Sequence, residues 1–324
     1  MRRLFGPAVI MATAAVVVAT ATAGAPDPSG PATGRAQALG MVPTWAASVA
    51  TPWANGAYRA TYGSGQLMNH GGPTMTTNST YAIYWNPSGY SQSLPSGYDT
   101  LVNQYFTDVA ADNGKTSNVY YTATQYSGIA YSSHFNGSGF DTNALPANGC
   151  SVYSGVSKCL TTAQLEAEVS SYVTSHALPK GPTVQYFLFT APGVGSCDGS
   201  QCAYSYYCAY HSWIGSGSSE IIWANQPYVE NVSGCDAGHH PNTLPGDAVL
   251  NVVSHEHNEA ITDENGNAWY DRRGYENGDK CAWSWGAWLG GTGSGVWNQL
   301  INGHHYTLQL EYSNADRGCV QSGL

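Results

Sequence analysis

The most informative stretch of this sequence is Ser254-His255-Glu256-His257-Asn258-Glu259-Ala260-Ile261-Thr262-Asp263. It nearly spells the zinc-protease helix motif His-Glu-x-x-His, with Glu259 in place of the last His. In a helix, residue 259 is rotated by only about 40° from residue 255, whereas residue 257 is rotated by about 200°. His255 and Glu259 are therefore predicted to share one helix face, where two side chains can bind one metal ion.

Glu256 lies beside this pair, at the position of the general base in zinc hydrolases that carry the motif. A tetrahedral catalytic zinc takes three protein ligands and leaves one position open for water. His255 and Glu259 are predicted to be two of these ligands. The candidates for the third are Asp279, Asp263 and His211.

Asp279 is the preferred third ligand, because zinc enzymes of this type usually take it from beyond the first helix and because a disulfide at Cys281 would fix the nearby backbone. Asp263 would have to reach along the same helix, so a surface position at the helix end is at least as good an interpretation. His211 stays an alternative. Two carboxylates and one imidazole neutralise the charge of a divalent ion, which predicts that a zinc-bound water is only weakly acidic. The same ligand set would also accept a harder metal ion such as calcium or manganese. Zinc is the expected cofactor.

The N-terminal sequence indicates an exported protein. Residues 1–23 contain two arginines, an apolar Ala/Val-rich stretch and a small-residue cleavage site, as in a secretory signal peptide. Residues 24–44 are rich in Pro, Ala and Gly without apolar periodicity, which predicts a disordered leader or short propeptide. No later stretch is apolar for long enough to span a membrane. The protein is predicted to be secreted and extracellular.

The charge balance restricts the partners. The formal net charge is −10 at pH 7, with 11 Lys and Arg against 21 Asp and Glu. An acidic chain repels phosphate backbones and anionic membranes, which argues against nucleic-acid and membrane partners. The expected partner is an extracellular protein or peptide substrate, and no pattern in the sequence predicts an oligomeric state.

Eight cysteines in an exported protein predict four disulfides. Cys150 with Cys159 would close a local loop, and Cys281 with Cys319 would anchor the C-terminal tail. The other four are expected to pair among themselves. The alternative is a zinc cluster, which irregular spacing and an oxidising compartment disfavour; its ligands would be Cys197, Cys202, Cys208 and Cys235.

Strand-like and helix-like patterns alternate along the chain. Strands are predicted at residues 79–85, 118–125, 183–190, 220–225 and 306–311, and helices at 98–111, 161–177 and 248–262. Thr161 and Gln164 resemble a capping box at a helix start. The strand at 220–225 is predicted to be an edge strand, to which an extended peptide substrate could add.

This alternation predicts an α/β fold with a zincin-like mixed sheet packed by helices. Residues 45–266 are predicted to form the domain with the metal site. Residues 267–324 are rich in Trp and Gly, and they are predicted to form a loop-rich, disulfide-bonded C-terminal subdomain packed on that domain.

Several short blocks carry a resemblance that spans about residues 66–281. The blocks are Asn69-His70-Gly71-Gly72-Pro73, Tyr81-Ala82-Ile83-Tyr84-Trp85, Cys208-Ala209-Tyr210-His211, Ser254-His255-Glu256 with Glu259-Ala260, Asn267-Ala268-Trp269-Tyr270 and Gly278-Asp279-Lys280-Cys281. In these blocks the chain resembles the phosphate-induced protein 1 family, also called the Exordium-like family. Plant members are extracellular proteins linked to growth, without a settled enzymatic activity.

The resemblance implies a shared site at His255, Glu259 and Asp279, which match the family pattern. The chain departs from that pattern at His257 and Asp263, so the resemblance makes both of them poor ligand candidates. A shared site implied in this way is not necessarily catalytic.

Other chemistries have weaker support in the sequence. Residues 215–219 form a Gly/Ser loop rather than a serine nucleophile elbow. Glu256, Glu259 and Asp263 could supply a carboxylate pair for glycoside hydrolysis, but nothing in the sequence fixes their separation. The leading hypothesis is a secreted zinc-dependent metallopeptidase with Glu256 as the base. The alternative is a non-catalytic wall or matrix protein that binds carbohydrate or peptide and keeps a structural metal site.

Overall fold

A computed structural model describes residues 39–44, 58, 60 and 62–322. The predicted signal peptide and most of the predicted leader lie outside these residues, and all the described residues belong to one compact unit. The helices are α1 (Tyr98–Ala111), α2 (Thr162–Ser175), α3 (Asp247–Thr262) and α4 (Asn277–Lys280), with 3-10 turns at Val119–Gln125, Gly217–Ser219 and Gly293–Gly295. The strands are β1 (Leu39–Pro43), β2 (Met68–Asn69), β3 (Asn78–Trp85), β4 (Ser133–Asp141), β5 (Lys158–Thr161), β6 (Val184–Thr190), β7 (Val194–Asp198), β8 (Gln201–Cys202), β9 (Tyr207–Ile214), β10 (Ile221–Gln226), β11 (Trp269–Tyr270), β12 (Gln299–Ile301), β13 (His304–Tyr306), β14 (Glu311–Ser313) and β15 (Gly318–Val320).

The centre of the fold is a six-stranded sheet with the strand order β1-β9-β10-β6-β3-β4. Strands β10, β6, β3 and β4 are parallel, β9 is antiparallel to β10, and β1 is antiparallel to β9. All seven residues of β6 are buried, because both faces of the sheet are covered. The large mixed sheet with its helices confirms the predicted α/β class.

Successive residues of the strands serve two separate cores, because side chains alternate between the faces of a sheet. On one face, Ala82 and Phe187 pack with residues of α1 and α3. On the other face, Ile83 and Leu188 pack with residues of α2. Every residue of α3 is buried, so the helix that carries the motif is enclosed on all sides.

The helices follow the sequence pattern closely. Helix α1 has the predicted bounds, and α2 begins at the predicted capping box. In that box, Gln164 N–H donates to Thr161 Oγ1 at 3.3 Å, and Thr161 N–H donates to Gln164 Oε1 at 3.0 Å. Local capping therefore suffices to fix this helix start.

Two predicted strands are wrong. Residues 119–125 form a 3-10 helix, whose first turn is capped by Asn118 Oδ1 accepting from Tyr120 N–H at 3.1 Å. Its aromatic and β-branched residues, which resemble a strand, are instead buried on one side of a helical turn. The predicted strand at 306–311 is also interrupted, since β13 ends at Tyr306 and β14 begins at Glu311.

Strand β10, at the predicted edge position, is an interior strand. Strand β9 lies beyond it and β1 beyond β9. The prediction failed because the sequence of β9, from Tyr207 to Ile214, was not identified as a strand.

Part of the predicted disordered leader is ordered. In the pairing of β1 with β9, Leu39 lies opposite His211 and Val42 opposite Ala209. The five residues of β1 do not alternate between apolar and polar, so their sequence does not predict a strand. Pairing with β9 makes them one.

The cysteines confirm the predicted disulfides. The pairs are Cys150–Cys159, Cys197–Cys202, Cys208–Cys235 and Cys281–Cys319, which excludes the four-thiolate zinc cluster. C-terminal residues such as Trp283 and Leu310 join the same core as α3. Within residues 39–322 as described, no helix combines the length and the apolar character needed to cross a membrane.

Candidate metal centre

A buried cluster of histidines and carboxylates lies where α3, β9 and α4 meet. Helix α3 contributes His255, Glu256 and Glu259, which we call the site face of α3; β9 contributes His211 and α4 contributes Asp279. The residues from α3 and β9 are 0% exposed, and Asp279 is 9% exposed. The fold therefore brings residues from three distant parts of the chain into one interior site.

The three residues predicted as ligands converge. His255 Nε2 lies 2.9 Å from Glu259 Oε1 and 3.7 Å from Asp279 Oδ1. Ligand atoms of all three residues lie within 4.8 Å of one another. Zinc bonds of about 2.0 to 2.2 Å in tetrahedral geometry place neighbouring ligand atoms about 3.4 Å apart. The separations thus match a set of atoms that can surround one ion.

His211 lies on the other side of Glu259. Its Nδ1 is 3.1 Å from Glu256 Oε2 and 3.7 Å from Glu259 Oε2. Ligand atoms of His211, Glu256 and Glu259 also lie within 4.8 Å of one another. The two oxygens of Glu259 therefore face two neighbouring groups, and His211 stands beside the candidate base rather than beside Asp279.

Several polar atoms of the cluster are buried without a hydrogen-bond partner. They include both ring nitrogens of His255, Glu256 Oε1 and Glu259 Oε2. Each such atom costs about 1 to 3 kcal/mol when nothing replaces its contact with water. A divalent cation accepts lone pairs from both nitrogen and carboxylate oxygen, so this set of donor atoms fits a metal ion.

Two further carboxylates reach the cluster, and sequence reasoning missed both. Glu276 Oε1 lies 3.9 Å from His211 Nε2. Glu311 is 0% exposed, and both of its carboxylate oxygens lack a hydrogen-bond partner. Glu276 lies three residues before Asp279, which was the one available signal; Glu311 comes from β14, and nothing in its local sequence points to the site.

Burial shifts the pKa values of the cluster. It raises the pKa of Glu256, Asp279 and Glu311 well above the usual range, and the negative charge of Glu259 adds to each rise. Burial also lowers the pKa of His211 to about 4. Burial disfavours the charged form of His255, but the combined effects of Glu259, Asp279 and Gln309 outweigh burial and raise its pKa. A bound cation would reduce the electrostatic repulsion among these carboxylates.

Asp263 and His257 belong to neither group of converging ligand atoms, although the backbone carbonyl of Asp263 lies 3.3 Å from His211 Nε2. Asp263 Oδ1 accepts the backbone N–H groups of Asn267 and Ala268, each at 2.7 Å, and thereby closes the turn after α3. Asp263 is 0% exposed, so its interpretation as a surface residue is wrong. His257 lies on the opposite side of α3, which we call the core face, among Tyr120, Phe106 and Phe187.

Strand β1 covers the cluster. A Cβ atom added to Gly40 would lie 1.7 Å from Glu259 Oε2 and 2.8 Å from His211 Cε1. The backbone N–H of Val42 faces the carboxylate of Glu256 and lowers its pKa, against the larger effect of burial. The β1 backbone therefore lies directly against three candidate ligand or base residues, Glu259, His211 and Glu256.

No protein-family model, curated protein or solved structure matches this chain. Two blocks of the Exordium-like resemblance meet in the fold, because Trp269 pairs with Asn69 and the Tyr270 ring stacks on His70 at 3.6 Å. The resemblance to that family stays a prediction from the sequence blocks.

Proposed function

We propose that this chain is a secreted zinc-dependent metallopeptidase, in which His255, Glu259 and Asp279 hold the zinc. The observation that carries the proposal is the convergence of these three side chains in an interior where His255 Nδ1 and Glu259 Oε2 lack a hydrogen-bond partner. Buried carboxylates and imidazoles that face one another without a cation are unfavourable, because neither desolvation nor mutual repulsion is compensated.

Zinc at this centre would polarise a peptide carbonyl and lower the pKa of a water. Glu256 is placed to take a proton from water at Oε1, which has no hydrogen-bond partner, while Oε2 lies 3.1 Å from His211 Nδ1. Contact with His211 orients the carboxylate and so directs Oε1. Glu256 would then pass the proton to the leaving amine.

The arrangement of the sheet supports a zincin-like interpretation and an extended peptide as substrate. Strand β9 is antiparallel to β10 and carries His211 into the cluster. Backbone groups along the outer edge of such a strand bind extended peptide by strand addition. The strand that would serve this purpose is β9, whose outer edge is paired with β1 in this structure, in place of the strand at 220–225.

A second candidate function is a structural metal site in a non-catalytic extracellular protein. Complete burial of His255 and Glu259 favours it, because structural zinc sites are closed whereas catalytic sites keep one position open. The covering strand β1 is compatible with both candidates.

The test is to purify the full chain, measure its metal content by mass spectrometry, and follow casein digestion. We expect about one zinc per chain, and we expect Glu256→Gln to keep the zinc but lose at least about 100-fold in rate, as removal of a general base does. Glu264→Gln is the matched control, because Glu264 is also 0% exposed with both carboxylate oxygens unpartnered but belongs to neither ligand group.

Absence of bound metal would overturn both candidate functions. Stoichiometric zinc without digestion, in the wild type and also in a Gly40→Val variant designed to displace β1, would overturn the peptidase and favour the structural site. Equal loss of activity in Glu264→Gln and Glu256→Gln would contradict the assignment of Glu256 as the base.

A further inference from the structure

Strand β1 lies on the sheet as a bound peptide would. Among the residues that the structure describes, it is the outermost strand on this side and pairs only with β9, in the antiparallel direction. Leu39 lies opposite His211, so the ladder passes directly over a residue of the metal centre. Displacement of an outermost strand breaks one ladder and leaves the rest of the sheet paired.

The ladder is irregular at the point where it crosses the metal centre. Between Leu39 and Val42 the register shifts, and Gly40 adopts a left-handed backbone with φ of +47°. A bulge of this kind bends the strand and redirects its backbone. No side chain fits at Gly40, because a Cβ atom would overlap Glu259 Oε2.

Contacts at both ends hold β1 in place. Trp283 Nε1 donates to Pro43 O at 2.7 Å, and a Cβ atom on Gly266 would lie 2.8 Å from Leu39 Cδ1. Val42 is 0% exposed, and its N–H faces Glu256. Strand β1 thus places a backbone donor, the N–H of Val42, against the candidate base Glu256.

We propose that the outer edge of β9, together with Glu256, is a binding site for an extended peptide, and that Leu39–Pro43 is its built-in occupant. While β1 is in place the metal centre is latent, and displacement of β1 opens it. The proposal rests on the proposed function, since it names the substrate class and the regulation of the same centre. A peptide in this site has glycine over Glu259 and an apolar residue two positions later, as β1 has Gly40 and Val42.

The test uses the zinc-loaded full chain and a fluorescein-labelled peptide with the sequence of residues 39–44, Leu-Gly-Met-Val-Pro-Thr. Gly40→Val should displace β1 because its side chain overlaps Glu259. Gly199→Val is the matched control, since Gly199 also has a positive φ, +57°, but nothing within 4 Å of an added Cβ atom.

We expect the labelled peptide to bind Gly40→Val at least about tenfold more tightly than the wild type or the control, because the wild type exposes the site only in its open fraction. The β9 amides should exchange with deuterium faster in Gly40→Val and become protected again when peptide is added. Equal peptide binding by all three chains, or unchanged protection of β9 in Gly40→Val, would overturn the proposal.

Val42→Asp provides a second way to displace β1, by placing a charge at a buried position, with Val152→Asp at a 51% exposed position as its control. Failure of both β1 variants to fold, when both controls fold, would show that β1 is an indispensable part of the core and would overturn the proposal.

Binding and digestion together separate this inference from the proposed function. Selective peptide binding by Gly40→Val without any casein digestion would support the site and its occupant but overturn the peptidase. Digestion at one rate by wild type and Gly40→Val, without selective peptide binding, would support the peptidase and overturn latency.

Discussion

The two buried histidines on the two faces of α3 differ in the contacts of their ring nitrogens. On the core face, His257 Nδ1 lies 3.1 Å from Tyr120 OH and Nε2 lies 2.8 Å from Asn78 Oδ1, so both ring nitrogens have partners. On the site face, His255 Nε2 lies 2.9 Å from Glu259 Oε1 without the alignment of a hydrogen bond, and Nδ1 has no hydrogen-bond partner. Both histidines are 0% exposed, so burial does not distinguish them.

The neighbours explain the difference. Burial lowers the pKa of His257 to about 3, and a hydroxyl and an amide satisfy its neutral ring. His255 faces the carboxylates of Glu259 and Asp279, which when ionised can accept from a protonated ring but cannot donate to a neutral one. A buried histidine with complete hydrogen bonding is a packing residue, whereas one that faces two buried carboxylates is a candidate metal ligand.

The largest expected effect comes from His255→Leu. Zinc at about 1,000 times its Kd should stabilise the wild type by about 4 kcal/mol, and the variant should gain nothing, because one ligand is gone. The measurement is urea unfolding with and without zinc, beside metal content. A zinc-dependent gain in His255→Leu equal to that of the wild type would contradict the assignment of His255.

Removal of the Cys281–Cys319 disulfide should have the next largest effect. The bond joins residues 38 apart, so its double alanine variant should lose about 3.9 kcal/mol of unfolding free energy. Its zinc affinity should also fall, because Cys281 lies two residues after Asp279. The control is the double alanine variant of Cys150–Cys159, which should keep its zinc affinity in a titration; equal affinity losses in both variants would contradict a specific role near Asp279.

His257→Leu tests the core face. It should lower the free energy of unfolding by about 2 kcal/mol, because the buried amide oxygen of Asn78 loses its partner. Zinc content should stay at the wild-type value. Loss of zinc from a variant that folds would show that the two faces of α3 are not independent.

The smallest expected effect comes from Glu166→Gln on α2. Glu166 Oε1 is also buried without a partner, but Glu166 belongs to no group of candidate ligands. Burial, aided by the charge of Asp198, raises its pKa from 4.5 to about 7 in the folded chain. Since the folded state holds its proton more tightly, the wild type loses stability as the pH rises through this range.

At pH 8, Glu166→Gln should therefore be more stable than the wild type by about 1 kcal/mol, a value reduced for the partial exposure of the group. Below about pH 4.5 the two chains should unfold at the same urea concentration, since the carboxyl is protonated in both states. A stability difference that stays constant across this range, or one that changes with zinc, would mean that titration of Glu166 is not its cause.

Local patterns predicted the helices well. Helix α1 and the capping box of α2 follow from side-chain spacing and capping chemistry within a few residues. The same local reasoning failed at residues 119–125, where aromatic residues pack in a 3-10 helix, and at β9, which contains a disulfide-bonded Cys208 and the buried polar residues His211 and Ser212. Whether a segment forms a strand depends on its tertiary contacts, which cannot be read from the local sequence.

The sequence by itself determined that His255 and Glu259 lie on one face of α3 and that His257 lies on another, because helical periodicity is a local property of the backbone. Only the tertiary structure decided which distant residues meet that face: Asp279, His211, Glu276 and Glu311. It also placed β1 over the cluster, where Gly40 alone provides the required space. These contacts join segments far apart in the chain, and the path of the chain through the sheet determines them rather than the local pattern of residues.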